Sequence, residues 1–145
     1  MVRNHWIALM TGTLGIGCVD LDFGGDTAEP NLPNLIIPWF NYENLGDTYE
    51  FSVQVENQGY ANADSFSVDL YLDQDTEPGE SHMGDLREML VSGLAAGDVS
   101  SITFSVPSES VCMDCSTWAY VDSGFQVTEL EERDNAWGPM VILSR

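Results

Sequence analysis

Lysine is missing from this 145-residue chain, and its four cationic side chains are all arginines. Nucleic acid and anionic lipid headgroups are gripped through lysine and arginine, so neither is expected as an electrostatic partner. Histidine is nearly missing too. His5 lies in the N-terminal segment, which leaves His82, in a polar loop, as the one imidazole for a Ser–His–Asp arrangement. With no lysine and one such histidine, the chain is read as non-catalytic. Paired carboxylates for glycoside hydrolysis are judged by their separation in space, and acids are so numerous here that closeness in sequence says little. No apolar run reaches the roughly 20 residues of a membrane-spanning helix. No ten-residue window carries a sustained helical stripe, and no internal repeat is visible.

What is abundant is acid. Twenty-four aspartates and glutamates against four arginines give a formal charge of −20. Such a field favours solubility, accumulates cations and disfavours acidic partners. It fits solvated acids adapted to a salty medium as well as a specific cation role. Apolar residues make up 43% and aromatics 10%, so this is not a disordered acidic tail. The length suits a single domain.

Residues 1–17 read as an export signal. Arg3 supplies the positive start, and Trp6 to Gly17 form an uncharged, mostly apolar stretch interrupted by threonine and glycine. Leu14-Gly15-Ile16-Gly17-Cys18 resembles a bacterial lipobox, whose cysteine is lipidated and becomes the mature N-terminus. Gly15 stands where leucine is usual, so ordinary signal-peptidase cleavage stays open. Lipidation of Cys18 would attach the chain durably, because more than one acyl chain is involved. Assigning Cys18 to lipid leaves Cys112 and Cys115 as a pair. In an exported protein that pair is read as a disulfide. A redox CxxC is the alternative, but such a motif sits at a helix N-terminus within a βαβ unit, whereas this one falls in a loop before a strand. Residues 18–33 are rich in Gly, Asp and Pro and read as an acidic tether.

From residue 34 to 145 the pattern is that of strands. Tyr49, Phe51, Val53 and Val55 alternate with polar residues; so do Phe66, Val68, Leu70 and Leu72, and again Ile102, Phe104 and Val106. Further strands are expected at 35–40, 86–91, 117–122 and 140–143, with turns at 57–59 and 93–97. About seven short strands at this spacing predict an all-β, immunoglobulin-like or fibronectin-III-like antiparallel sandwich.

Four motifs in order then resemble the CARDB family (cell-adhesion-related domain found in bacteria). They are Val53-Gln54-Val55-Glu56-Asn57-Gln58-Gly59, Leu70-Tyr71-Leu72-Asp73, Gly93-Leu94-Ala95-Ala96-Gly97, and Ala119-Tyr120-Val121-Asp122 with Val127-Thr128-Glu129 and Glu132-Arg133-Asp134-Asn135. Asp134-Asn135 departs from the paired asparagines usual there. The resemblance covers roughly residues 33–143. It implies an exported module associated with adhesion or with spacing other domains. Physically, Gly59 and Gly97 are expected to supply backbone angles closed to other residues. Asn57 is expected to bond its own backbone in the turn, and Asp122 and Asn135 to do likewise at the corner between the last two strands.

Two acidic sets are candidate cation sites. Asp73, Asp75, Glu77 and Glu80 place oxygens at alternate positions, as Ca²⁺ prefers. Pro78 at the sixth position and Gly84 at the twelfth exclude an EF-hand. The second set is Asp122, Glu129, Glu131, Glu132 and Asp134, which would repel one another unless solvated, protonated or bridged. Both sets also read as solvated loops. Trp39, Trp118, Tyr120 and Trp137 are candidates for an aromatic binding surface, although such residues more often fill a sandwich core. The expectation is therefore an exported envelope module, lipid-anchored at the outer membrane or cell surface, with a secreted or periplasmic form as the alternative. Its partner would be an envelope protein or surface polysaccharide. Zinc at Cys112 and Cys115 would need a further Cys or His pair, which the sequence does not offer, so calcium is the one cofactor expected.

Overall fold

The alternation in residues 49–55 builds the middle strand of one sheet. In the computed structural model, which describes residues 30–79 and 81–143, Thr48–Asn57 (β2) buries Tyr49, Phe51, Val53 and Val55 and turns Glu50, Ser52 and Gln54 the other way. Leu35–Asn44 (β1) pairs antiparallel on one side of it and Val99–Pro107 (β5) on the other. The facing sheet orders Leu86–Leu90 (β4), Phe66–Tyr71 (β3), Ser116–Val121 (β6) and Ala136–Val141 (β7), all antiparallel. A single 3₁₀ turn, Ser108–Ser110, leads from β5 toward β6. Three strands against four make the expected sandwich. Phe51, Phe66, Leu70, Phe104, Val121 and Ile142 interdigitate between the sheets, each fully or almost fully buried. Burying a side chain of this size contributes roughly 1.5–3 kcal/mol.

All seven expected strands form, with two informative shifts. β1 runs on to Asn44 through an irregularity between Ile36 and Trp39. A bulge there resets the inside–outside alternation. β7 covers Ala136–Val141 rather than 140–143, although it contains Gly138-Pro139. Proline is tolerated because β7 is an edge strand, whose outer N–H groups have no ladder to serve.

The turn residues act differently from one another. Gly97 has φ +80°, the left-handed angle expected of it, and its N–H donates to the Asn57 carbonyl at 2.8 Å. Gly59 has no such angle. A Cβ there would lie 2.4 Å from the backbone nitrogen of Asn34 and 2.4 Å from the Pro33 carbonyl carbon, so close backbone approach is what excludes a side chain. Asn57, fully buried, does more than close its own turn. Its Oδ1 accepts from Gly59 and Asn34 N–H groups at 3.1 Å each, and its Nδ2 donates to the carbonyls of Ala61 and Leu94.

The signal segment 1–17, Cys18, most of the tether and Glu80 lie outside the described residues. Residues 32 and 33, expected to close the tether, already bond to the sandwich. The Leu32 carbonyl accepts from Tyr60 N–H at 2.8 Å, and the Pro33 carbonyl from Leu130 N–H at 2.9 Å. Among the described residues no helix is long and apolar enough to cross a membrane.

Candidate functional site

The outer face of the β1–β2–β5 sheet is open. Past the bulge, Trp39, Asn41 and Glu43 point away from the core, opposite Gln54, Ser52 and Glu50 on β2. Ser101, Thr103 and Ser105 continue the same face on β5. Trp39 is 47% exposed. Beside it Asn41, Tyr42, Glu43, Glu50 and Ser52 line a shallow groove of about 120 Å³. One flat indole bordered by amides, hydroxyls and two carboxylates can stack a ring and hydrogen-bond around its edge.

The other predicted aromatics are placed otherwise. Trp118 is 8% and Tyr120 4% exposed, and with Tyr71 they form a small second core on the outer side of the four-stranded sheet. Trp137 is half-buried, edge-on to Phe40 with ring centroids 5.5 Å apart. The expected aromatic surface therefore reduces to Trp39. The cover over the second sheet is the loop between β3 and β4. Its His82 carbonyl accepts from the Tyr71 hydroxyl, and its Gln74 carbonyl from Trp118 Nε1 at 2.9 Å.

Under that loop lies an ion pair that the sequence reading did not single out. Asp69, fully buried on β3, receives Arg87 Nε and Nη2 at 2.6 Å each, Ser123 Oγ at 2.7 Å and Gly84 N–H at 3.0 Å. Burial pushes the Asp69 carboxyl up, but the bonds from Arg87, Gly84 and Ser123 and the guanidinium charge outweigh it and hold the group below its ordinary value. Burial, with the Asp69 charge beside it, raises the Tyr71 hydroxyl. The available signal was a scarce arginine on a strand, directly opposite an aspartate in register.

The second acidic set wraps the start of β1. Glu129, 6% exposed, accepts from Leu35 N–H and from Asn135 Nδ2, and its own N–H donates to Glu132 Oε1 at 3.1 Å. Asp134 accepts from Asn34 Nδ2 at 3.0 Å, and Asn34 Oδ1 accepts from Glu131 N–H. Burial pushes Glu129 up to about 8; the bonds from Leu35 and Asn135 oppose this, and the charges of Glu132 and Asp122 add to it. Asp122 caps its turn as expected, accepting from Gln126 and Val127 N–H, and burial outweighs those bonds to raise it. Asn135 departs from expectation. Its amide holds Glu129 rather than the backbone of its own turn. Glu129 and Asp122 thus spend both carboxylate oxygens on backbone and amide donors.

The first acidic set sits at one end of the sandwich. Among the described residues, the ligand-type atoms that gather within 4.8 Å of one another are those of Asp73, Cys112 and Cys115, not those of Asp73, Asp75 and Glu77. Cys112 and Cys115 are joined as a disulfide, with Cα atoms 5.5 Å apart. The grouping follows from register. Tyr71 pairs with Trp118, so the chain leaving β3 meets the chain entering β6, and Gln74 N–H donates to the Ser116 carbonyl at 2.9 Å.

Comparison with known proteins agrees with this architecture. The sequence pattern of the CARDB family matches residues 32–138. The fold resembles the CARDB domain of a Pyrococcus furiosus protein solved in complex with di-metal ions. That match has 19% identity and a TM-score of 0.58, covering 78% of this chain and 90% of that one. It also resembles a domain of a Methanosarcina acetivorans protein whose name assigns it to the cell surface, at 19% identity and TM-score 0.58, covering 78% and 93%. No curated protein matches the chain.

Proposed function

The chain belongs to the CARDB family, and on that premise we propose that it is a non-catalytic binding module of the bacterial cell envelope, docking a surface polysaccharide on the open β1–β2–β5 face. The observation that carries this reading is Trp39, exposed on a mostly hydrophilic sheet face and flanked by Asn41, Ser52, Gln54 and the hydroxyls of β5. Sugar rings stack their C–H faces on indole and exchange hydrogen bonds with amides and hydroxyls. A neutral or cationic polymer suits a chain carrying −20. The reading includes export and a lipid on Cys18, supported by the lipobox resemblance and the odd cysteine count.

Co-sedimentation of the full chain with insoluble envelope polysaccharide tests the docking face. Wild type is expected in the pellet, and Trp39→Ala in the supernatant at equal fold stability. Equal sedimentation of both would end the proposal. Mass spectrometry of the native N-terminus tests the anchor, with acylated Cys18 as the expected species and free Cys18 as the contrary result.

The second reading, a spacer without a specific ligand and stabilised by calcium, is favoured by the density of exposed acids, Asp73, Asp75 and Glu77 among them. A family member solved with di-metal ions adds support. It predicts a lower Tm when a chelator removes calcium, and no effect of Trp39→Ala on any binding.

A further inference from the structure

The Cys112–Cys115 pair is poorly explained as a stabilising staple. Cross-linking residues only three apart removes little chain entropy from the unfolded state. Its neighbourhood is informative. The loop carrying the pair is fixed by Asp114 N–H donating to the Ile142 carbonyl at 2.8 Å. The turn carrying Asp73 is fixed by Gln74 N–H on the Ser116 carbonyl and by Leu72 N–H on Asp85 Oδ2, 2.8 Å. Two sulfurs and a carboxylate oxygen from segments about 40 residues apart in sequence are thereby held within 4.8 Å of one another. Thiolate, thiolate and carboxylate are a donor set that Zn²⁺ accepts, at metal–ligand distances of about 2.0–2.3 Å, with a fourth tetrahedral position left over. Soft thiolates select zinc over calcium or magnesium.

We propose that the reduced Cys112–Cys115 pair binds one Zn²⁺ together with Asp73, so that this end of the sandwich is a redox-gated zinc site. A dithiol reductant gives two electrons and two protons to the S–S bond, becomes a disulfide itself, and leaves two thiols. Zinc then displaces both thiol protons and takes the Asp73 carboxylate as third ligand; water fills the fourth position. In the reverse direction a small-molecule disulfide takes two electrons from the two thiolates and, with two protons, becomes two thiols; the Cys112–Cys115 bond re-forms and Zn²⁺ is released. The surrounding −20 charge raises the local concentration of the dication. This site is independent of whatever docks on Trp39.

The test uses the full chain carrying Cys18→Ser, which removes the third thiol. After reduction with a phosphine, zinc is titrated against a chromophoric chelator, and Co²⁺ binding is followed by its thiolate charge-transfer absorption. The reduced protein is expected to take one equivalent and the oxidised protein none. Asp73→Asn should weaken binding by roughly tenfold or more, and Asp73→His, which supplies an imidazole, should restore it. These two variants keep both thiols, so they decide the matter even if Cys112→Ser fails to fold. Failure of the reduced protein to bind zinc, equal binding by the oxidised protein, or an Asp73→Asn variant as tight as wild type would each overturn the proposal.

Discussion

The two sheets present opposite solutions to the same problem, an outer face that is not part of the main core. On β1–β2–β5 the outward residues are mostly polar, with Trp39 and Val99 as the exposed large apolar side chains. On the four-stranded sheet, β3 is buried along its whole length and β6 from Thr117 onward, because the β3–β4 loop folds over Tyr71, Trp118 and Tyr120. A covered face adds stability and closes itself to partners. An open one gives up that burial and remains free to bind. The largest expected effect of a substitution therefore falls on the covered side. Trp118→Ala should cost about 3–5 kcal/mol in urea unfolding, whereas Trp39→Ala should cost less than about 1 kcal/mol. Equal losses would erase the distinction between the faces.

The next effect tests what holds the cover down. Asp69→Ala leaves Arg87 without its bidentate partner and the Ser123 hydroxyl and Gly84 N–H without an acceptor. We expect a loss of about 2–3 kcal/mol, less than for a wholly buried pair because Arg87 is 30% exposed. Limited proteolysis should then cut the β3–β4 loop first. A variant that loses stability without freeing the loop would show that the pair serves the sheet and not its cover.

The smallest expected effect is a dependence on pH, and among the three buried carboxylates it separates Glu129 and Asp122, which burial raises, from Asp69, which is held low. Glu129 titrates near 8 in the folded chain against an ordinary 4.5. The folded state thus binds its proton more tightly, and stability is full below about pH 4.5 and declines as pH rises toward 8. The slope is at most about 1.4 kcal/mol per pH unit for one proton. Asp69 has the reverse sign. Held below its ordinary 3.8, it contributes above that pH and loses its contribution as pH falls further. Glu129→Gln, neutral at every pH, should lessen the decline between 4.5 and 8, leaving the share of Asp122, while keeping the acid limb in place. A wild-type profile flat across that range would mean that Glu129 ionises without cost.

The same contrast explains what could be read from the sequence. The inner faces were legible because alternation reports burial on one side, as in Tyr49, Phe51, Val53 and Val55. The covered outer face was not, since Ser67 and Asp69 read as solvent-facing when only strand period is considered. Their burial depends on a loop brought back from later in the chain. Tyr71 and Trp118 were the available warning, being large aromatics on that nominally polar side. Trp39's exposure hung on the β1 bulge, which shifts the phase that periodicity assumes. The meeting of Asp73 with Cys112 and Cys115 required the register of β3 against β6, and neither local motif contains that information.

The fastening of residues 32–34 has a mechanical consequence. A pull on the N-terminal side of the domain reaches the sandwich at Leu32, whose carbonyl is held by Tyr60, then at Pro33, held by Leu130, and at Asn34, held by Asn57 and Glu131. These bonds join three segments distant in sequence, so tension is shared among them before any of it peels β1 from β2. Under flow, a molecule tethered at that end would bear load through this knot of amides, and the sheet carrying Trp39 would keep its shape while the tether is taut.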